Sequence, residues 1–139
     1  MKKGFTLVEL LIVIMVIAIL IGIALPRFGG MRDEGNTVKA AAELRTLQAA
    51  VESYYIHNAH VYPSGQSELL TAKPQIISAT MNDPFTSPAA EYGYQKSGSY
   101  YIIYSVGPEA GTASITNAGV VTDGGAIFIS NGDKGSGGF

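Results

Sequence analysis

The chain opens Met1-Lys2-Lys3-Gly4-Phe5-Thr6-Leu7-Val8-Glu9, and from Leu10 to Leu25 it reads LLIVIMVIAILIGIAL before Pro26-Arg27. Phe5 to Leu25 is close to the roughly 20 apolar residues that cross a bilayer as a helix. Lys2 and Lys3 supply the basic flank expected on the cytoplasmic side. Glu9 is the single charge within the stretch. A carboxylate there is costly, about 2.5–3.5 kcal/mol on insertion scales for Asp at a helix centre and less toward an end. Such a residue marks function and asks for a partner. Two plainer readings account for less. A secretory signal peptide ends its apolar core in a small-residue cleavage site, and Leu25-Pro26-Arg27-Phe28 does not match that pattern. An ordinary single-span anchor explains the apolar run and the lysines but leaves Glu9 without a reason.

Gly4-Phe5-Thr6-Leu7-Val8-Glu9 resembles the processing site of type IV pilins and of the pseudopilins of type II secretion. The resemblance implies that a prepilin peptidase/methyltransferase cuts between Gly4 and Phe5 and methylates the new terminal nitrogen of Phe5. It also implies that Phe5 and Glu9 act in subunit assembly, the α-amino cation of one subunit meeting the carboxylate of a neighbour. In an apolar bundle either charge alone is strongly unfavourable, whereas the two together compensate each other. Such a pair sets axial register more than it adds net stability.

Composition suits one small domain on a stalk. The chain has 139 residues, a net charge of −2 and no cysteine. Loss of Lys2 and Lys3 leaves seven basic against eleven acidic side chains, a side-chain charge of −4. Without disulfides the domain must hold by packing, sheet pairing or assembly, and this departs from the many pilins that close a C-terminal loop with a disulfide. No basic patch stands out, so nucleic acid is not an expected partner. No nucleophile elbow, phosphate loop or His/Cys metal spacing occurs. The expectation is therefore a non-enzyme with no cofactor, metal or catalytic residue. His57 and His60 read as surface or packing residues, and the eight tyrosines as core and interface.

Pro26 lacks an N–H and its ring clashes with the preceding turn, so it should kink, open or end the helix. Gly22, Gly29 and Gly30 weaken the same region by up to about 1 kcal/mol each. Gly22 and Pro26 are thus the expected helix break, most of all in an assembled filament. From Val38 the chain reads VKAAAELRTLQAAVESYYIHN, and Val38, Ala41, Leu44, Leu47, Val51 and Tyr54 recur at helical steps as one apolar stripe. Lys39 and Glu43 stand four apart and can pair. A helix from Phe5 to Ala59 would measure about 80 Å. Its first half must then face lipid, and later other subunits.

Past the helix, Val61-Tyr62-Pro63-Ser64-Gly65 reads as a turn and Ser67–Ala72 as a short helix. Pro74, Pro84 and Pro88 mark an irregular connection. Strands are expected at 91–95, 99–106, 113–116, 119–122 and 126–130, with turns at Asn117-Ala118-Gly119 and Asp123-Gly124-Gly125. The glycine-rich end from Asn131 to Phe139 reads as mobile. The order YYIHNAHVYP (54–63), NDPF (82–85), YGY (92–94), YYIIYSVGP (100–108) resembles major pseudopilins and some cysteine-free pilins. Such pseudopilins follow that glycine with a calcium-binding aspartate cluster. Here Gly107-Pro108 leads to Glu109-Ala110-Gly111-Thr112, while Asp123, Asn131 and Asp133 are scattered. Ca²⁺ takes six to eight oxygen ligands, so no calcium site is expected.

The fold expectation is α+β: a long N-terminal helix, half membrane or filament core and half amphipathic, packed on a small C-terminal antiparallel sheet. The expected division is leader 1–4, apolar helix 5–30 and globular head 31–139. The resemblance implies a single-pass inner-membrane precursor drawn by an assembly platform into a helical filament of identical subunits. That filament would be an extracellular pilus used in adhesion, motility or surface contact. The alternatives are the major pseudopilin of a periplasmic secretion filament, and a minor pilin or membrane-tethered binding module. The missing aspartate cluster and the extra C-terminal hairpin favour the pilus.

Overall fold

The computed structural model describes residues 4–25 and 28–132, and the side chains of Phe28 and Gly29 are outside the description. Lys2, Lys3, Pro26 and the tail beyond Gly132 therefore lie outside the described residues. The chain forms two compact units that divide at Gly35–Asn36.

The first unit holds helix α1, Leu7–Ala24. Every residue from Leu7 to Ala24 except Glu9 and Gly22 is apolar, and the helix passes through Gly22 to its end. Helix α2, Phe28–His57, starts in this unit and continues into the second.

The second unit is built on the later part of α2. Ala40, Leu44, Leu47, Ala50 and Val51 are buried along one face. Leu44, Leu47 and Val51 each contribute about 1.5–3 kcal/mol by burial. Val38, expected to begin this stripe, is instead 67% exposed. At about 100° per residue Val38 lies about 120° around the helix from Leu44, too far to share its face. The buried line starts at Ala40, four residues before Leu44.

After α2 comes the short helix α3, Gln66–Thr71, whose Leu69 enters the same core. Strands β1 (Gly93–Ser97), β2 (Tyr100–Ser105) and β5 (Ile127–Ser130) form an antiparallel sheet in the order β1-β2-β5. Strands β3 (Ala113–Ile115) and β4 (Val121–Asp123) make a separate hairpin. The architecture is thus α+β, as the sequence predicts, with small shifts at the ends. Glu91 makes only an isolated bridge to Asn82, so β1 begins at Gly93. Gly119 adopts φ 78° and belongs to the turn, so β4 begins at Val121.

The central strand explains the layering. Successive side chains on a strand point to opposite faces. Tyr101 and Ile103 join the α2 side with Tyr92 and Leu69. Ile102 joins the other side with Ala113, Ile115, Val121, Ala126 and Phe128. Strand β2 is therefore covered on both faces, by α2 and by the β3–β4 hairpin. Gly93 pairs with Tyr104, whose ring occupies the space a β-carbon would need.

Candidate functional site

Thr6 caps α1 from an extended backbone conformation, φ −83° and ψ 152°. Its hydroxyl accepts from the Glu9 backbone N–H at 3.2 Å. In return the Thr6 N–H and hydroxyl both donate to Glu9 Oε2 at 3.4 Å. This is a capping box, satisfying donors that the first helical turn leaves open. The helix dipole also favours a carboxylate at this end. Sequence reasoning missed the role of Thr6, although the signal was available as Thr-x-x-Glu ahead of an apolar run. Both contacts to the carboxylate are long, so the box holds Glu9 loosely. Phe5 is 78% exposed, and the space around the Gly4 α-carbon is open.

Helix α1 buries none of its residues and is apolar all round. A helix of that kind needs an apolar surrounding other than its own domain. Its 18 residues have a mean hydropathy of 3.1, long and apolar enough to cross a membrane. At 1.5 Å per residue it extends about 27 Å, near the hydrocarbon thickness of a bilayer. The N-terminus thus presents an open Gly4-Phe5 dipeptide, a capped carboxylate one turn on, and an apolar helix.

In the second unit the short sequence strings fall at joints between loop and sheet. Tyr94 donates its hydroxyl to the Pro63 carbonyl at 2.8 Å. Asp83 is 2% exposed. Its Oδ1 accepts from the Ser105 hydroxyl at 2.8 Å and the Phe85 N–H at 3.0 Å, and its Oδ2 from the Val106 N–H at 2.8 Å. The long connection is thereby tied to the end of β2. Tyr92 donates to Glu43 Oε2 at 2.5 Å, and Tyr101 to Glu52 Oε1 at 2.7 Å. Burial, and then the bonded carboxylates, push both tyrosine hydroxyls far above their usual pKa. Tyr94 is raised too, mostly by burial and then by the charge of Glu68. For Glu68, burial acts upward, but hydrogen bonds from Ser64 and Tyr54 and the charge of Lys96 leave its carboxyl below the usual range. Lys39 and Glu43 approach to 3.8 Å, the expected pair.

After Gly107-Pro108, the chain forms a tight loop. Ala110 sits at φ 53° and the Gly111 N–H donates to the Val106 carbonyl at 2.7 Å. Asp123 Oδ1 accepts from the Gly125 and Ala126 N–H groups at 2.8 and 3.0 Å. Among the described residues, no group of three or more His, Cys, Asp or Glu side chains is placed to hold a metal ion. His57 and His60 are both exposed, with His57 Nδ1 2.8 Å from the Ser53 carbonyl.

Residues 1–25 match the family described as the prokaryotic N-terminal methylation motif. The type II secretion system core protein G of Escherichia coli K12 is 27% identical over 85% of this chain and 81% of its own length. A fimbrial protein of Pseudomonas aeruginosa is 26% identical over 81% of this chain and 73% of its own. The motif and these relatives support a place in the type IV pilin and pseudopilin family. The type IV narrow pilus major component PilA5 of Thermus thermophilus is 49% identical, over 38% of this pilin-like chain and 42% of its own length. In several matches the chain spans only about half of the relative's length. No solved structure matches significantly.

Proposed function

We propose that this chain is the subunit of a type IV pilus-like filament. Its precursor is held in the inner membrane by α1, with the head outside the cytoplasm. A prepilin peptidase/methyltransferase removes residues 1–4 and methylates Phe5, and an assembly platform moves the subunit from the bilayer into the filament. Identical subunits then pack their apolar helices together, and Glu9 pairs with a neighbour's Phe5 terminus. The observation that carries this reading is α1: apolar around its circumference apart from Glu9, without one buried residue, and headed by Gly4-Phe5-Thr6-Leu7-Val8-Glu9. Filament packing supplies the apolar surroundings that α1 lacks in a single chain. Extraction from lipid is favoured when the Glu9 carboxylate exchanges the two long Thr6 contacts for a full positive charge. Within the filament, the backbone around Gly22 to Pro26 is expected to open, because Pro26 cannot complete the helical hydrogen bonding.

The division into leader 1–4, filament helix 5–30 and head 31–139 belongs to the same proposal. A second reading, the major pseudopilin of a type II secretion filament, is favoured by the likeness to core protein G over most of the chain. The deciding experiment shears filaments from intact cells and measures the intact mass of the subunit. Long surface filaments made in bulk of a chain starting at N-methyl-Phe5 support the pilus. Assembled material retaining Met1 would refute the processing step. Subunits confined to the periplasm would move the reading to the pseudopilin.

A further inference from the structure

A cleft of about 220 Å³ opens in the second unit between the end of α2, the segment after it and the β1–β2 turn. Tyr55, His60, Tyr62, Lys96, Gly98 and Ser99 are among its lining residues. One wall is aromatic. The His60 ring stands edge-on to Tyr55 with centroids 5.1 Å apart, Tyr55 stacks on Tyr62 at 4.4 Å, and Tyr62 leans on the buried Tyr101 at 4.7 Å. His60 is brought there by two successive left-handed residues, Ala59 at φ 53° and His60 at φ 59°. They form the turn that ends α2, closed by the His60 N–H donating to the Tyr55 carbonyl at 3.1 Å.

The opposite side carries a positioned cation. Lys96 Nζ donates to the Tyr62 carbonyl at 2.8 Å, which uses one of its three protons. Among the described residues, no carboxylate lies within pairing distance of Lys96. Glu68 acts on Lys96 at longer range, but its Oε2 is taken by the Tyr54 hydroxyl at 3.2 Å and the Ser64 N–H at 3.1 Å. Two ammonium protons thus remain for a ligand, and Lys96 lines the cleft beside the exposed Ser99.

We propose that this cleft binds a single acidic sugar ring of the hexuronate type. Its carboxylate meets Lys96, its hydroxyls meet His60 and Ser99, and its C–H face lies on the Tyr55–His60 wall. The volume falls below the roughly 300–1,000 Å³ of drug-sized sites, which limits the ligand to about one ring. A bare anion would leave the aromatic wall unused, and an apolar side chain would leave the ammonium without a partner. The proposal stands on the second unit alone and does not depend on filament assembly.

The test titrates the full chain in detergent micelles with sodium galacturonate, galactose, sodium acetate and N-acetyl-aspartate amide, read by NMR shifts at His60 and Lys96. Galacturonate should saturate with Kd on the order of 1 mM, the value ordinary ligand efficiency gives for a ligand this size. Lys96→Met should weaken it about tenfold, the equivalent of one charge-assisted hydrogen bond. Lys96→Arg should restore most of the affinity, and Tyr55→Leu should weaken galacturonate without changing acetate. Lys96 is exposed, so its variants retain the fold. Equal binding of acetate reduces the cleft to an anion site, and equal binding of galactose removes the role of Lys96. Tighter binding of the aspartate derivative reassigns the cleft to peptide. Any of these outcomes, or no saturable galacturonate shift, overturns the proposal.

Discussion

Replacing Asp83 tests whether the long connection between α3 and β1 is pinned by one buried carboxylate. Asp83 is 2% exposed and Ser105 is fully buried. Three donors converge on the carboxylate, from Ser105, Phe85 and Val106, at 2.8 to 3.0 Å. Hydrogen bonds to a charged group contribute about 1.5–3 kcal/mol each, and buried donors left without an acceptor cost about 1–3 kcal/mol. The three share one acceptor, so their losses do not add. Asp83→Ala should therefore destabilise the head by about 3–5 kcal/mol. For a unit of this size each kcal/mol moves Tm by about 4–8 °C, so Tm should fall by at least about 12 °C. Asp83→Asn keeps one acceptor oxygen and should cost about half as much. The assay is thermal unfolding of the full chain in detergent micelles, followed by near-ultraviolet circular dichroism. All eight tyrosines lie between Tyr54 and Tyr104 and there is no tryptophan, so the tyrosine signal reports on the head. Ser105→Ala should cost about 1.5–3 kcal/mol alone and clearly less on top of Asp83→Ala, because the two share one hydrogen bond. An Asp83→Ala protein melting within about 2 °C of the parent would refute the pinning argument.

Glu9→Gln should insert into membranes normally, since removing a charge favours insertion, while filament yield after shearing collapses; normal yield would remove the pairing argument. The raised tyrosines set an alkaline limit. Tyr92, Tyr94 and Tyr101 have folded-state pKa values above the ordinary 10.0, so their contribution is complete below pH 10 and is lost as the unfolded chain ionises above it. Ultraviolet titration should show these hydroxyls ionising together with unfolding, and an independent, gradual titration of a folded head would contradict the burial argument. Calcium should leave the melting curve of the head unchanged relative to chelator, because native-state ligand binding necessarily raises Tm; a large upward shift would favour the pseudopilin reading.

Most of what runs locally along the chain was legible in its residues. The apolar run of α1, the helical recurrence through Leu44, Leu47 and Val51, and β-formers between turn residues each declare an element within a few neighbours. The Gly4–Glu9 string marked the candidate site in the same way, since its chemistry lies within one turn of chain. Even there the reading was partial: Glu9 was assigned a partner in another subunit, while its nearest partner in the structure is Thr6, three residues away. Val38 shows a similar limit, because three- and four-residue steps drift around a helix and only packing shows which line faces the core.

Tertiary structure alone decided what depends on distant pairing. Strand β5 returns to lie beside β2, and β3 and β4 leave the sheet to cover its second face. No local pattern dictates that order, since β-formers fit either edge of a sheet and the choice rests on which faces are buried together. Nothing local links Asp83 to Ser105, 22 residues later, whose hydroxyl donates to it. Nor does any local pattern link Glu43 and Glu52 to Tyr92 and Tyr101, each 49 residues on, whose hydroxyls donate to them. A hydrogen bond between such residues exists only after the chain has closed a long loop. The sequence supplies the donors and acceptors, and the packing of α2 on β2 brings them within about 3 Å, the ordinary span of such a bond.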